Sequence, residues 1–184
     1  MSPLVFESVL AAAKEAEEWA WNEIYNWLAP SLGGYFRLRG LDDPDDLVGE
    51  VFAQIARNLS SFEGHVDGFR SWVFMIAHNR LANHRRGSQR KPRTLMADLE
   101  PIDPRQAQSA EDLVVTQLEN ERIASLLDAL TKDQRDVLAL RVMAGFTLQE
   151  TAQITGRSAG AVKQLQRRGL EALRTLFVTE GVTK

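Results

Sequence analysis

Thr147-Leu-Gln-Glu-Thr-Ala-Gln-Ile-Thr-Gly-Arg-Ser-Ala-Gly-Ala-Val-Lys-Gln-Leu-Gln-Arg-Arg168 reads as two short helices around a tight turn. Thr147 can accept from the backbone N–H of Glu150 while the Glu150 side chain reaches back, a capping box that starts the first helix. Leu148, Ala152 and Ile154 or Thr155 supply a small inner face, and Gly156 ends the helix where a positive φ costs little. Ser158 offers an N-cap for a second helix, whose apolar positions Ala161, Val162, Leu165, Leu170, Leu173 and Leu176 recur at helical spacing. The remaining face carries Lys163, Gln164, Arg167 and Arg168. Arg and Lys donate to guanine acceptors, Gln pairs with adenine, and any of them holds phosphate. Cap, turn glycine, second cap and basic face fall at the offsets of a helix-turn-helix, a unit that presents its second helix to a DNA groove.

A chain of 184 residues suffices for one sizeable core or two small ones. The chain has no cysteine, which excludes a disulfide framework and thiolate metal sites. It shows no apolar run long enough to span a membrane and no secretory signal pattern at its start, so a soluble cytoplasmic protein is expected. The net charge of −3 argues against nucleic acid until its distribution is followed. Residues 1–56 carry three basic and ten acidic side chains (−7), and residues 57–93 eight and two (+6). Residues 94–130 carry two and eight (−6), and residues 131–184 nine and five (+4). Two basic blocks separated by acidic ones suit a chain that touches DNA at two places.

The periodicity is helical throughout and predicts an all-α fold. A helix is expected over Leu4–Trp27, after which Gly33-Gly34 and Gly40 break the pattern. Asp43-Pro44-Asp45-Asp46 is a helix start, with Asp43 capping, Pro44 in the first turn and carboxylates at the positive end of the dipole. That helix runs to about Asn58, burying Leu47, Val48, Val51, Phe52, Ile55 and Leu59. A polar loop leads to a third helix from Phe69 to about Arg86, with Phe69, Trp72, Val73, Ile76, Ala77 and Leu81 inward and a basic end at His84, Arg85, Arg86, Arg90, Lys91 and Arg93. Phe62 and Phe74 fall outside this stripe and are the better candidates for stacking on bases. Thr94–Ser109 is acidic and proline-containing and reads as an extended linker. Ser109 with Asp112 opens a helix to about Leu130, and Thr131 with Gln134 opens another to about Met143. The organisation is therefore two small helical domains, residues 1–95 and 110–184, joined by a linker over residues 96–109. His65, His78 and His84 share no ligand spacing, and capping explains Asp42, Asp43, Asp45 and Asp46 more simply than a metal does, so no metal and no cofactor are expected.

Asp43-Pro-Asp-Asp-Leu-Val-Gly-Glu-Val-Phe52 and Gly68-Phe-Arg-Ser-Trp-Val-Phe-Met-Ile-Ala-His-Asn-Arg-Leu-Ala-Asn-His-Arg-Arg86 resemble the second conserved region of bacterial sigma factors of the extracytoplasmic-function group. Leu127-Asp-Ala-Leu-Thr-Lys-Asp-Gln-Arg-Asp-Val-Leu138 and the helix-turn-helix after it resemble the fourth region of the same family. The resemblance implies a non-enzymatic, dissociable subunit that directs RNA polymerase to promoters and assists melting. Its first domain docks on the β′ clamp helices and captures the unwound minus-ten element, and its second reads the minus-thirty-five duplex and contacts the β flap.

Carried onto this chain, Asp45, Asp46, Glu50 and Gln54 would face polymerase. Phe62, Glu63, Gly64, His65, Phe74, Asn79, Arg80 and Asn83 would hold the non-template strand, with Arg85 and Arg86 on its backbone. Extruded bases need such aromatic and polar replacements for lost stacking. Lys163, Gln164, Arg167 and Arg168 would enter the major groove, with Arg141 and the Ser158 helix start on phosphates and Thr147 and Gln149 on the same duplex. The family also implies an anti-sigma partner, and an acidic linker whose Asp98, Glu100 and Asp103 occupy space later claimed by RNA. The chain departs from the family pattern at Gly49, where Gln is usual, at Met75 and Asn83, which replace Arg and Asp, and at Gln164-Leu165, which replaces Ser-Arg. These departures bear on promoter preference. A stand-alone helix-turn-helix regulator is the alternative; a Mg²⁺ nuclease built on the aspartates would need a second grouped acidic motif. The chain stops soon after the helix-turn-helix, so a further C-terminal control domain is not expected.

Overall fold

The computed structural model describes residues 1–41, 43–88, 126 and 129–179, with the backbone alone at residues 85–88, 177 and 179. Among the described residues all regular structure is helical. The expected linker over residues 96–109, its Asp98, Glu100 and Asp103, the helix from Ser109, and Asp42, Arg90, Lys91 and Arg93 lie outside them, as do the side chains of Arg85 and Arg86.

The helix expected over Leu4–Trp27 is instead two, α1 (Pro3–Lys14) and α2 (Glu18–Leu38). Phe6, Val9, Ala13, Ala20, Ile24 and Leu28 are buried at one unbroken helical period, so no glycine or proline announces the break. The chain reverses at Ala16, which takes a φ of 62°. Ala16 N–H donates to Ala13 O at 3.1 Å and Glu17 N–H to Ala12 O at 3.0 Å, the paired bonds of a Schellman end. A left-handed non-glycine residue costs about 1–2 kcal/mol, and packing the two apolar faces against each other as a hairpin offsets it.

The break expected at Gly33-Gly34 is also absent: α2 runs through both, because Leu32, Tyr35 and Phe36 around them are buried. It ends at Gly40, φ 79°, where Gly40 N–H donates to Arg37 O and Leu41 N–H to Phe36 O. Asp43 Oδ1 accepts from Asp45 N–H at 3.2 Å, but α3 (Asp45–Asn58) starts one residue later than expected, with Pro44 in the N-cap position and no side-chain cap. Leu47, Val48, Val51, Ile55 and Leu59 are buried, while Phe52 is half-buried against Tyr25, ring centroids 4.9 Å apart. A short 3₁₀ turn, Leu59–Ser61, and a loop lead into α4 (Val66–Ser88). Phe69, at the centre of the first core, meets Phe6 at 5.3 Å, Phe62 at 5.1 Å and Trp72 at 5.7 Å.

In the C-terminal half the Thr131–Gln134 capping box forms and opens α5 (Lys132–Leu138). A π-helical turn, Ala139–Met143, continues it, with Ala144 N–H donating to Ala139 O at 2.9 Å. Then come α6 (Leu148–Thr155) and α7 (Ala159–Thr179). Val137, Ala152 and Val162, with Leu148 and Leu165 against them, make a small local core. The remaining large apolar groups of this half go elsewhere. Leu140, Phe146 and Ile154 are buried in the same cluster as α1–α4, so the two halves meet across a packed interface. Leu170, expected on the inner side of α7, is largely exposed at the rim of an apolar groove shared with Leu38, Leu126, Leu138, Val142 and Met143. Among the described residues no helix is long and apolar enough to cross a membrane.

Candidate nucleic-acid and polymerase interface

The helix-turn-helix is built by local bonds. Glu150 N–H donates to Thr147 Oγ1 at 3.2 Å and Thr147 N–H to Glu150 Oε2 at 2.6 Å, the reciprocal pair expected of the box. Burial alone would raise the Glu150 carboxyl, but the hydrogen bonds from Thr147 and Ser71 and the neighbouring Arg70 hold it below its ordinary value. Gly156 takes a φ of 64° and closes α6, with Arg157 N–H donating to Ala152 O at 2.9 Å. Ser158 Oγ then accepts from Ala161 N–H at 3.2 Å and starts α7. Thr147→Ala is expected to lower stability by about 1 kcal/mol, read as a fall in the urea midpoint that Thr147→Ser does not share.

This geometry holds α7 with Val162 inward and Lys163, Gln164, Arg167 and Arg168 outward and exposed. Gln149 on α6 is exposed beside them. The four outward side chains differ in availability. Arg167 is ion-paired with Glu171 at 3.1 Å one turn on, whereas Lys163 and Arg168 have no acidic partner among the described residues. The hydroxyls of Thr147 and Ser158 are occupied by capping, so a phosphate there would meet backbone N–H groups at helix starts. Arg141 is a correction: it does not project toward the recognition face. Its Nε donates to Gln166 Oε1 at 3.2 Å and its guanidinium to the Phe146 carbonyl, because the π turn carries it back under α7.

In the N-terminal half Asp45, Asp46 and Glu50 are exposed along α3, and Gln54 is half-buried. Arg80, expected on the DNA side, turns to this face instead: its Nε donates to Gln54 Oε1 at 2.7 Å and it pairs with Glu50 at 3.2 Å. Opposite charges on facing helices draw it there, so it orders the acidic face of α3 and is not a free phosphate ligand. Phe62 and Glu63 line an open groove of about 500 Å³ together with Gln54, Asn58, Ser61 and Trp72. Lys14 Nζ donates to the Phe62 carbonyl at 2.8 Å and pins this loop. Gly64, φ 152°, lets the Phe62 ring lie where a Cβ would approach it to 3.1 Å. Trp72 was assigned to the core by its period; it is half-buried and supplies one wall of the groove. Asn58 and Ser61 gave no signal, since polar residues at a helix end look alike whether or not they border a groove. His65, Asn79 and Asn83 are exposed.

Phe74 is the main correction. Expected outside the packed stripe, it is fully buried, edge-on to Phe146 at 4.9 Å and near Tyr35 at 5.8 Å. The C-terminal half covers it. Beside it lies a polar cluster: Arg39, 2% exposed, is ion-paired with Asp136, 5% exposed. Tyr35 donates its O–H to Asp136 Oδ1 at 3.2 Å, and its oxygen lies 2.9 Å from His78 Nδ1, so the Nδ1–H tautomer satisfies both groups. Burial pushes the Asp136 carboxyl up, against the pull of Arg39 and His78, and pushes the His78 imidazole down, against the pull of Asp136.

Residues 32–91 match the family Sigma-70 region 2, and residues 126–175 match Sigma-70, region 4. The chain is 32% identical over 143 residues to the ECF RNA polymerase sigma factor SigX of Bacillus subtilis, spanning 76% of this chain and 73% of that protein. It belongs to the ECF RNA polymerase sigma factor family. Similarity to ShbA of Streptomyces griseus is 32% over 134 residues, 72% of this chain and 70% of that protein. The similarity to BldN of Streptomyces coelicolor is 31% over 147 residues; it spans 78% of this sigma factor but only 54%, about half, of that protein. The fold is that of CnrH, solved in complex with the cytosolic domain of CnrY: TM-score 0.68, 22% identity, 93% of this chain and 96% of that one. It is also that of the sigma factor RpoE of Bartonella quintana, solved with the anti-sigma factor NepR: TM-score 0.64, 21% identity, 85% of this chain and 95% of that one. These matches favour the sigma reading over a stand-alone regulator.

Proposed function

We propose that this chain is a dissociable, non-enzymatic sigma subunit that directs bacterial RNA polymerase to specific promoters and assists their melting. The observation that carries the reading is the capped α6–turn–α7 unit with Lys163, Gln164 and Arg168 exposed on one face. That face reads the minus-thirty-five duplex. The groove of Phe62, Glu63 and Trp72, with Asn79 and Asn83, takes the minus-ten single strand, where an aromatic wall replaces the stacking lost on unwinding. Asp45, Asp46 and Glu50 form the surface for the β′ clamp helices, and the apolar groove of Val142, Met143 and Leu170 suits the β flap. The protein works in the cytoplasm, where its polymerase is, and an anti-sigma factor holds it when it is not needed.

The deciding experiment is a promoter gel shift and in vitro transcription with and without core polymerase. The sigma reading expects weak DNA binding alone and promoter-specific transcripts with core; tight duplex binding without core and no transcripts would favour a stand-alone regulator. Glu50→Arg places like charge beside Arg80 and removes an acidic contact. It is expected to weaken core-polymerase affinity severalfold in a pull-down with titrated core, and unchanged binding would move the clamp surface elsewhere.

A further inference from the structure

We infer, on the reading of α7 as the helix that enters the minus-thirty-five duplex, that Arg157 is a further ligand for the DNA backbone. Asp133 holds its guanidinium in the free protein, and a phosphate of the duplex takes the carboxylate's place.

Arg157 follows the Gly156 turn and precedes the Ser158 cap, so it stands outside the helical period that groups Lys163, Gln164, Arg167 and Arg168. Folding nevertheless brings it to their side. Arg157, Gly160, Ala161, Gln164, Leu165 and Arg168 line one open pocket of about 330 Å³. At Gly160 the space beside the backbone is empty, so nothing on that side keeps a duplex away.

The turn forms without the Arg157 side chain. Gly156 supplies the left-handed residue, the Arg157 backbone N–H donates to Ala152 O at 2.9 Å, and Ser158 Oγ accepts from Ala161 N–H at 3.2 Å. What the side chain does is pair with Asp133 of α5, Nη2 to Oδ1 at 2.7 Å. With side chains 37% and 44% exposed, this is a solvent-accessible pair, of the kind that contributes little to stability. Asp133 also lies in the first turn of α5, where the helix dipole already favours its charge, so it tolerates losing the arginine.

A phosphate is the stronger competitor. A guanidinium presents its N–H groups as a planar fork that grips a phosphate through two of them, and a duplex offers a dense row of such charges. The carboxylate therefore acts as a placeholder: it orders the side chain beside Gln164 and Arg168, and its displacement subtracts a small cost from binding. Since phosphates carry no sequence information, the contact strengthens and registers the complex without choosing the promoter.

The test uses promoter duplexes in which one phosphate at a time across the minus-thirty-five element is replaced by a neutral methylphosphonate. Each is titrated, over a range of salt, with holoenzyme containing the parent, Arg157→Ala or Asp133→Asn protein. The parent should lose affinity at one phosphate in particular, and Arg157→Ala should be indifferent to neutralisation there. Arg157→Ala should bind unmodified duplex about fivefold more weakly, by the same factor on cognate and scrambled sequence, with its salt slope reduced by about one. Asp133→Asn should bind about threefold more tightly, because no carboxylate has to be displaced.

A pair that merely braces the turn gives a different pattern. Both variants would then weaken binding together, and Arg157→Ala would keep the parent's phosphate sensitivities; either result overturns the inference, as does unchanged affinity in both. Should Arg157→Ala lose helical content, Asp133→Asn decides alone, tighter binding supporting the inference and weaker or equal binding overturning it. Core-dependent transcription with no phosphate specific to Arg157 would refute this ligand and leave the sigma reading. A phosphate specific to Arg157 on bare duplex, in a protein that supports no transcription with core, would do the reverse.

Discussion

Phe69→Ala lowers the stability of the N-terminal half by about 3–5 kcal/mol, the expected cost of emptying a fully buried phenylalanine site. Phe69 has no exposed surface and sits among Phe6, Trp27, Phe62 and Trp72, with ring centroids between 5.1 and 6.4 Å. The lost terms are apolar transfer, the residual cavity and four ring contacts, of which the one to Phe62 is edge-to-face. Those neighbours come from α1, α2, the Phe62 loop and α4, so the cavity has walls on four elements and no single one can collapse into it. In a domain of this size each kcal/mol moves the midpoint by several degrees, so the midpoint falls by roughly 12 °C or more. Thermal and urea unfolding followed by circular dichroism measure it. A loss below about 1 kcal/mol would mean that Phe69 is not at the centre of the core.

The combined Lys163→Ala and Arg168→Ala variant should leave stability within about 0.5 kcal/mol of the parent, because both side chains are exposed on α7. Its effect falls on DNA. Each lost base or phosphate contact costs about 1–3 kcal/mol, so holoenzyme affinity for the cognate promoter falls roughly thirtyfold or more. The salt dependence of binding should flatten too, since fewer counterions are released. Arg167→Ala is the internal comparison: its guanidinium is already shared with Glu171, so its loss should be smaller. A fluorescence-anisotropy salt titration on a promoter duplex reads all three. Loss of thermal stability without loss of DNA affinity would place this helix face inward.

The contrast between these two sites shows what kind of information the sequence holds. Thr147 with Glu150, Thr131 with Gln134, Gly156 and Asp43 all act on partners two to five residues away. Their chemistry is complete within one helical turn, and each is legible from residue type and spacing. The buried stripe of α3 and the outward face of α7 follow from periodicity for the same reason. The misreadings share the opposite property. Ala16 turns where the apolar period is unbroken, because two helix faces prefer each other to a straight continuation. Gly33 and Gly34 stay helical because neighbouring residues are buried by α3 and α4. Arg80 and Arg141 are placed on DNA by the family resemblance, but their partners lie 26 and 25 residues away in sequence.

Phe74 and Asp136 carry the lesson furthest. Phe74 is off the main stripe of α4, and its partner Phe146 belongs to the other half of the chain. Asp136 follows a capping box on a short amphipathic helix, yet it is bonded to Tyr35 across 101 residues. Composition and spacing by themselves determined the all-helical class, the Thr131 and Thr147 capping boxes, the Gly156 turn, the two basic blocks and the exposed polar face of α7, since those depend on local hydrogen bonds and on which side of a helix is apolar. Only the tertiary structure decided that the two halves close on each other, and which aromatic and charged groups are covered, because burial is set by surfaces that meet only after the helices have packed.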